Sequence, residues 1–219
     1  MKVLSNKIEF PPLEMATKEG LLAIGGDLSP ERLILAYRSG IFPWYSRDQP
    51  ILWWSPDPRF VLFPEKLKIS KSLKKELRKN CFSVTWNKAF DQVIKACSEV
   101  SRPDQPGTWI TQDMIQAYIE LHKLGLAISV EVWENDILVG GLYGIDLGNN
   151  IFCGESMFSK VSNASKVGFI NFIQSTDYHL IDCQVFTDHM ARFGAEELPR
   201  DEFIKIISGQ NNSDNLKNY

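Results

Sequence analysis

Three apolar runs between Ile128 and Phe158, joined by turns too short to carry a helix, restrict this chain more than anything else in it. Ile128, Val130 and Val132 alternate with Ser129, Glu131 and Trp133, the period of two that belongs to a strand with a different environment on each face. Asn135-Asp136 turns the chain back into Ile137–Ile145, and Gly148-Asn149-Asn150 turns it again into Ile151–Phe158. Connections of two or three residues join only antiparallel neighbours, so a three-stranded meander is expected. The third run contains an anomaly. Glu155 follows Gly154 where a buried strand should stay apolar, and it either emerges into solvent or serves a site.

Helical spacing surrounds the meander. Before it, Phe82–Trp86 alternates like a strand, and Asn87–Val100 carries Phe90, Val93, Ile94 and Cys97 at helical intervals. Thr111 can cap a further helix with Met114, Ile115, Tyr118 and Leu121 on one side, ending at Gly125. After it come a helix from Ser162 to about Thr176, a short strand Leu180–Val185, and helices around Met190 and from Pro199 to Ile207. The tail 209–219 is polar, with mobility expected.

The segment from Phe10 to Pro64 is different in kind. Its repeated prolines and glycines indicate a turn-rich unit with little regular structure, apart from a helix after Ser29-Pro30 that carries Leu33, Ile34, Ala36 and Tyr37 and stops at Gly40. Ser29 is the expected cap of that helix. Trp44, Trp53 and Trp54 either pack this unit or offer faces for a flat partner, with Trp44, between Pro43 and Tyr45, the stacking candidate. A chain of 219 residues can hold one substantial core and a small appendage. The expected division is therefore a small N-terminal domain at 1–64 and an α+β domain at 65–219, with a mainly antiparallel sheet flanked by helices.

A net charge of −3 does not suit a generally adhesive nucleic-acid binder, yet the charge is unevenly placed. Seven of the 24 basic residues fall between Lys66 and Lys79, opposed there only by Glu76. Ser70 can cap a helix in which Leu73 and Leu77 face inward and Lys71, Lys74, Lys75, Arg78 and Lys79 face out, either as a solvated surface or as a phosphate-binding one. No apolar run reaches the roughly 18 residues of a membrane span, and Met1–Lys7 lacks a signal-peptide core, so a cytoplasmic protein without membrane contact is expected. Cys81, Cys97, Cys153 and Cys183 form no C-x-x-C pair and have no His at ligand spacing; they read as reduced packed thiols, with no metal and no cofactor implied. His122 and His189 read as structural.

Helices, an antiparallel meander, a helix and another strand occur in the order found in acetyl-coenzyme A-dependent N-acetyltransferases. Such enzymes hold pyrophosphate on a glycine-rich loop, whereas the corresponding junction Phe158–Ser165 has no glycine, which makes acetyl-coenzyme A the weaker donor alternative.

Eight motifs in order carry a more specific likeness: Gly25-Gly26-Asp27-Leu28-Ser29-Pro30, Gly40-Ile41-Phe42-Pro43-Trp44, Trp53-Trp54-Ser55-Pro56-Asp57-Pro58-Arg59, Gly107-Thr108-Trp109-Ile110, Gly154–Ser159, Asn163-Ala164-Ser165-Lys166, Asp182-Cys183-Gln184 and Gly194–Arg200. Together they resemble the leucyl/phenylalanyl-tRNA–protein transferases from about Phe10 to Phe203. The resemblance implies a bacterial cytoplasmic enzyme that moves leucine or phenylalanine, less readily methionine, from Leu-tRNA or Phe-tRNA to the N-terminal Arg or Lys of proteins, marking them for degradation; a monomer is expected.

By the same resemblance Asp182 and Gln184 handle the attacking amine. Two apart on one expected strand, they project to the same face. Leu142, Phe152, Met157 and Phe172 match positions that line a pocket for the donor side chain. Trp44 and Trp109 match positions for the terminal adenosine, and the basic helix falls to the acceptor-stem phosphates. Glu155 is the candidate to receive the acceptor's cation or grip its amine. An aminoacyl ester is already activated, so positioning and oxyanion stabilisation should outweigh a strong base.

Overall fold

The computed structural model describes residues 2–100 and 108–209; Gly107 of the fourth motif and the tail from 210 lie outside them. The N-terminal region contains β1 (Lys2–Leu4), β2 (Leu21–Gly25), α1 (Pro30–Arg38), β3 (Phe42–Pro43) and β4 (Leu52–Trp54), and its strands form one sheet in the order β1-β2-β4-β3. The turn-rich expectation therefore missed a real sheet. Strands of two to five residues broken by prolines are too short to show a period. Trp53 is fully buried and donates Nε1–H to the Gly25 carbonyl at 2.8 Å, and Trp54 donates to the carbonyl of Trp44 at 2.7 Å. Ser29 precedes α1 but makes no side-chain cap; Asp27 Oδ1 accepts the Ser29 N–H at 2.9 Å instead.

Next along the chain come β5 (Arg59–Leu62), α2 (Lys71–Lys79), β6 (Ser83–Trp86), α3 (Phe90–Ser98) and α4 (Gln112–Lys123). The expected caps of α2 and α4 are present: Ser70 accepts from Leu73 N–H and Thr111 from Met114 N–H. The meander is β7 (Ala127–Glu134), β8 (Ile137–Gly148) and β9 (Ile151–Ser159), with Asn135 and Asp136 both at positive φ, as a two-residue hairpin turn requires. The chain ends with α5 (Ala164–Gln174), β10 (Leu180–Gln184), α6 (Asp188–Arg192), β11 (Glu196–Leu198) and α7 (Arg200–Ile207).

The larger sheet runs β11-β5-β10-β9-β8-β7-β6. All its pairs are antiparallel except β9 and β10, which α5 connects as a crossover. The α+β architecture thus stands, with the helix–meander–helix–strand order expected for an acyltransferase-like domain. The two sheets part between Trp54 and Arg59 rather than at residue 64, because β5 pairs with β10 and β11.

Alternation along β8 divides the core. Leu142 joins Phe152, Phe169 and Ile170 on the α5 side, while Tyr143 joins Phe90, Val93 and Tyr118 on the α3 and α4 side. Gly140 lets α5 approach closely, since a Cβ there would lie 2.7 Å from the Cβ of Ala164. The polar alternation of β7 does not face water: Ser129 and Glu131 are fully buried. Glu131 accepts from Thr85 Oγ1 at 2.6 Å and from the Ala89 N–H at 3.3 Å, so its charge rests where α3 begins.

Candidate active site

The site arises where two strands stop pairing. Strands β9 and β10 run in register only as far as Cys153 opposite Asp182, and beyond that point they diverge. Each carries an irregularity at the divergence. In β9 the register jumps from Gly154 to Ser156 against β8, leaving Glu155 as the extra residue of a bulge. In β10 the register shifts between Asp182 and Gln184, and Gln184 has φ +65°. The two bulges turn Glu155 and Gln184 into the same cleft, a cavity of about 350 Å³.

Gln184 donates Nε2–H to Glu155 Oε1 at 2.7 Å. Tyr37 of α1 donates to the same oxygen at 2.7 Å, Tyr118 of α4 donates to Oε2 at 2.9 Å, and the two phenols also touch each other. Burial pushes the Glu155 carboxyl up to about 7, while the donations from Tyr37, Tyr118 and Gln184 pull it down. Burial, then the charge of Glu155, holds both phenols well above the usual tyrosine range. A carboxylate accepts about four hydrogen bonds, three of these positions are filled, and Glu155 is still partly open to the cavity.

Asp182 is held differently from the sequence expectation. It is fully buried and paired in parallel with Arg59, Nε to Oδ1 at 2.8 Å and Nη2 to Oδ2 at 2.7 Å. Arg59 also donates to the Gly40 carbonyl at 3.1 Å and lies between the rings of Phe42 and Phe203, each centred 4.7 Å from its carbon. Asp182 Oδ1 further accepts the backbone N–H of Gln184 at 2.9 Å. Asp182 and Gln184 therefore do not present two free side chains to one face. Asp182 is neutralised by Arg59 and clamps the bulge that aims Gln184.

The donor-pocket candidates divide. Leu142, Phe152 and Met157 line the cavity with Trp44 and Trp109. Phe172 does not; it is buried behind Phe152, with ring centroids 4.7 Å apart. Trp44 and Trp109 are half-buried, and Trp44 is set by Trp54, tilted at 5.8 Å. Lys71, Lys74, Lys75, Arg78 and Lys79 form an exposed face of α2, whose Leu73 joins the apolar cluster of Leu142 and Phe152. Lys79 is tied to Glu76 at 2.8 Å.

Sequence reasoning missed Tyr37, Tyr118 and Arg59. Tyr37 and Tyr118 sit at apolar helix positions and read as core; Arg59 closes the third motif, but nothing local indicated Asp182, 123 residues away. His122 is structural as expected, bonding through Nδ1 to the Ala127 carbonyl at 2.8 Å and stacked on Phe90. His189 packs edge-on against Phe193 at 5.3 Å and also lines the cavity. The four cysteines are free, and burial holds the thiols of Cys153 and Cys183 well above their ordinary range. Among the described residues no helix is long and apolar enough to cross a membrane.

The family model described as leucyl/phenylalanyl-tRNA protein transferase matches residues 61–208, and the model of that protein's N-terminal domain matches 26–57. A protein named leucyl/phenylalanyl-tRNA–protein transferase from Flavobacterium johnsoniae is 56% identical over 96% of this chain and 100% of its own length. Its namesake from Flavobacterium psychrophilum is 54% identical over 94% of this chain and 99% of its own. Among solved structures, a conserved protein from Bacteroides thetaiotaomicron aligns with TM-score 0.49 at 10% identity, over 78% of this chain and 62% of that one, a likeness too low to carry chemistry.

Proposed function

Because this chain belongs to the leucyl/phenylalanyl-tRNA–protein transferase family, we propose that it transfers leucine or phenylalanine, less readily methionine, from aminoacyl-tRNA to the N-terminal Arg or Lys of acceptor proteins. It is an aminoacyltransferase; the substrates of that transfer are an aminoacyl-tRNA and a protein. The choice of Leu-tRNA and Phe-tRNA, the basic acceptor terminus, the role of the product as a degradation signal, a cytoplasmic location and action as a monomer belong to the proposal.

The observation that carries it is the convergence of Gln184 and Glu155 beside an apolar cavity flanked by two tryptophans. The terminal adenosine stacks at Trp44 and Trp109, and the donor side chain enters among Leu142, Phe152 and Met157, where a flexible thioether suits both an aliphatic and an aromatic occupant. The acceptor's ammonium takes the fourth position on Glu155. Its pKa of about 7.7–8.0 lies close to that of the carboxyl, so proton transfer to Glu155 is nearly balanced. The freed nitrogen attacks the ester carbonyl, the carbon–nitrogen bond forms, and the bond to the ribose 3′ oxygen breaks. Of the two protons the nitrogen loses, one goes to Glu155 and the other neutralises the departing 3′ oxygen. Gln184, fixed by Asp182 and Arg59, holds the carboxylate and the amine in line. Lys71, Lys74, Lys75, Arg78 and Lys79 meet phosphates of the acceptor stem.

The acetyl-coenzyme A alternative is set aside, since nothing in the glycine-free junction between β9 and α5 favours it. Labelled Phe-tRNA incubated with the protein and a peptide beginning with Arg should label the peptide. An unlabelled peptide would overturn the reading.

A further inference from the structure

The residues lining the cavity include one imidazole. It belongs to His189, and its Nε2 is buried with no hydrogen-bond partner among the described residues. A buried imidazole nitrogen without a protein partner is unfavourable unless water or a ligand reaches it. Ring contacts fix what surrounds it. Phe169 of α5 meets Phe193 at 5.1 Å, and His189 meets the same Phe193 edge-on at 5.3 Å, so α5 and α6 pack here side by side.

That packing brings two cations to the spot. Lys166 lies three residues before Phe169, on the same face of α5, and Arg192 lies three residues after His189 on α6. Burial first, then the charges of Lys166 and Arg192, hold the imidazole below its ordinary pKa, which agrees with their nearness. Arg192 is exposed, and among the described residues Lys166 donates at a long 3.3 Å to Asn163 Oδ1. The one carboxylate on α6 is Asp188 at its exposed start.

The basic character continues outward. The Lys68 N–H donates to the Phe193 carbonyl at 2.8 Å, which sets Lys68 beside the end of α6 and two residues from the Ser70 cap of α2. Lys68 thereby stands between the end of α6 and the basic helix α2.

We propose that His189, Lys166 and Arg192 form a subsite for a phosphodiester at the 3′ end of the donor RNA. The inference rests on the transferase reading above and adds to it the route by which the strand leaves the cavity: past α6 and Lys68 toward α2. The lysine and arginine offset the charge of the phosphate, with the imidazole of His189 beside them at the edge of the cavity. No bond is made or broken there.

Two minimal donors test it. Adenosine esterified with phenylalanine at its 3′ oxygen has no phosphate; the corresponding cytidylyl-adenosine ester has one phosphodiester. With an acceptor peptide beginning with Arg, Lys166→Ala and Arg192→Ala should each lower kcat/KM on the dinucleotide about tenfold and leave the adenosine ester unaffected. Lys166→Arg and Arg192→Lys should restore most of the activity, which a purely structural role would not predict. Equal decreases on both donors, or none on the dinucleotide, would overturn the subsite. Failure of the unaltered protein on both donors would overturn the transferase reading itself.

Discussion

Arg59 and Asp182, 123 residues apart, meet through two parallel hydrogen bonds of 2.8 and 2.7 Å with both side chains buried. The pair ties β5 to the strand end from which Gln184 is aimed. A buried charge deprived of its partner remains desolvated, so the consequences of breaking the pair are asymmetric.

Arg59→Ala should therefore destabilise the protein by about 3–5 kcal/mol, read as a lower urea midpoint at unchanged slope. Arg59→Met combined with Asp182→Leu should recover much of that stability while activity stays low, because the clamp on Gln184 is gone. Equal stability of the single and double variants would contradict this account.

Glu155 titrates near 7 in the fold against an ordinary 4.5, with burial as the main cause. Between those values the folded protein holds more protons than the unfolded chain, so this group's contribution to stability is full below 4.5 and is lost as pH rises through 7. Glu155→Gln should flatten that decline in denaturation measured from pH 5 to 8. In kinetics, activity should rise with pH through about 7, and this limb should vanish in Glu155→Gln, leaving the titration of the acceptor amine alone.

Tyr37→Phe and Tyr118→Phe each remove a donor that favours the ionised carboxylate. Both should move the acidic limb of the rate profile to higher pH. A downward shift in either variant would show that the phenols do not stabilise the charge.

Replacing Lys74, Lys75 and Arg78 by Ala should weaken tRNA binding and reduce its salt slope by about 0.7–0.9 for each phosphate no longer neutralised, with turnover at saturating tRNA nearly intact. An unchanged slope would mean that this face of α2 is only a solvated surface.

Phe152 lines the cavity, and Phe172 packs behind it. Phe152→Ala opens the cavity and should lower donor discrimination, whereas Phe172→Ala should act through stability, by about 3–5 kcal/mol, because its ring lies behind Phe152 rather than in the cavity. Parallel changes in donor preference would place Phe172 in the pocket after all.

Local patterns made much of this architecture legible. The turn residues Asn135 and Asp136 announced the meander, Ser70 and Thr111 announced two helix starts, and the lysines of α2 lie on the face their spacing gave them. Each depends on interactions within a few residues, which is all that periodicity and capping can report. The strands of the small sheet escaped notice because β3 has only two residues and β4 three.

The amino-acid order by itself determined five strands of the larger sheet, β6 to β10, the helices around them, the exposed basic helix and the anomaly at Glu155, while β5 and β11 escaped it and Asp182 and Gln184 became candidates through the family resemblance. Only the tertiary structure decided how those three side chains are held. Bulges in β9 and β10 turn Glu155 and Gln184 toward each other against the simple alternation of a strand. Packing of α1 and α4 brings Tyr37 and Tyr118 to the carboxylate, and β5 brings Arg59 to Asp182. Those partners are 37 to 123 residues distant in the chain, and a carboxylate's proton affinity depends on burial and on such neighbours, neither of which is a local property.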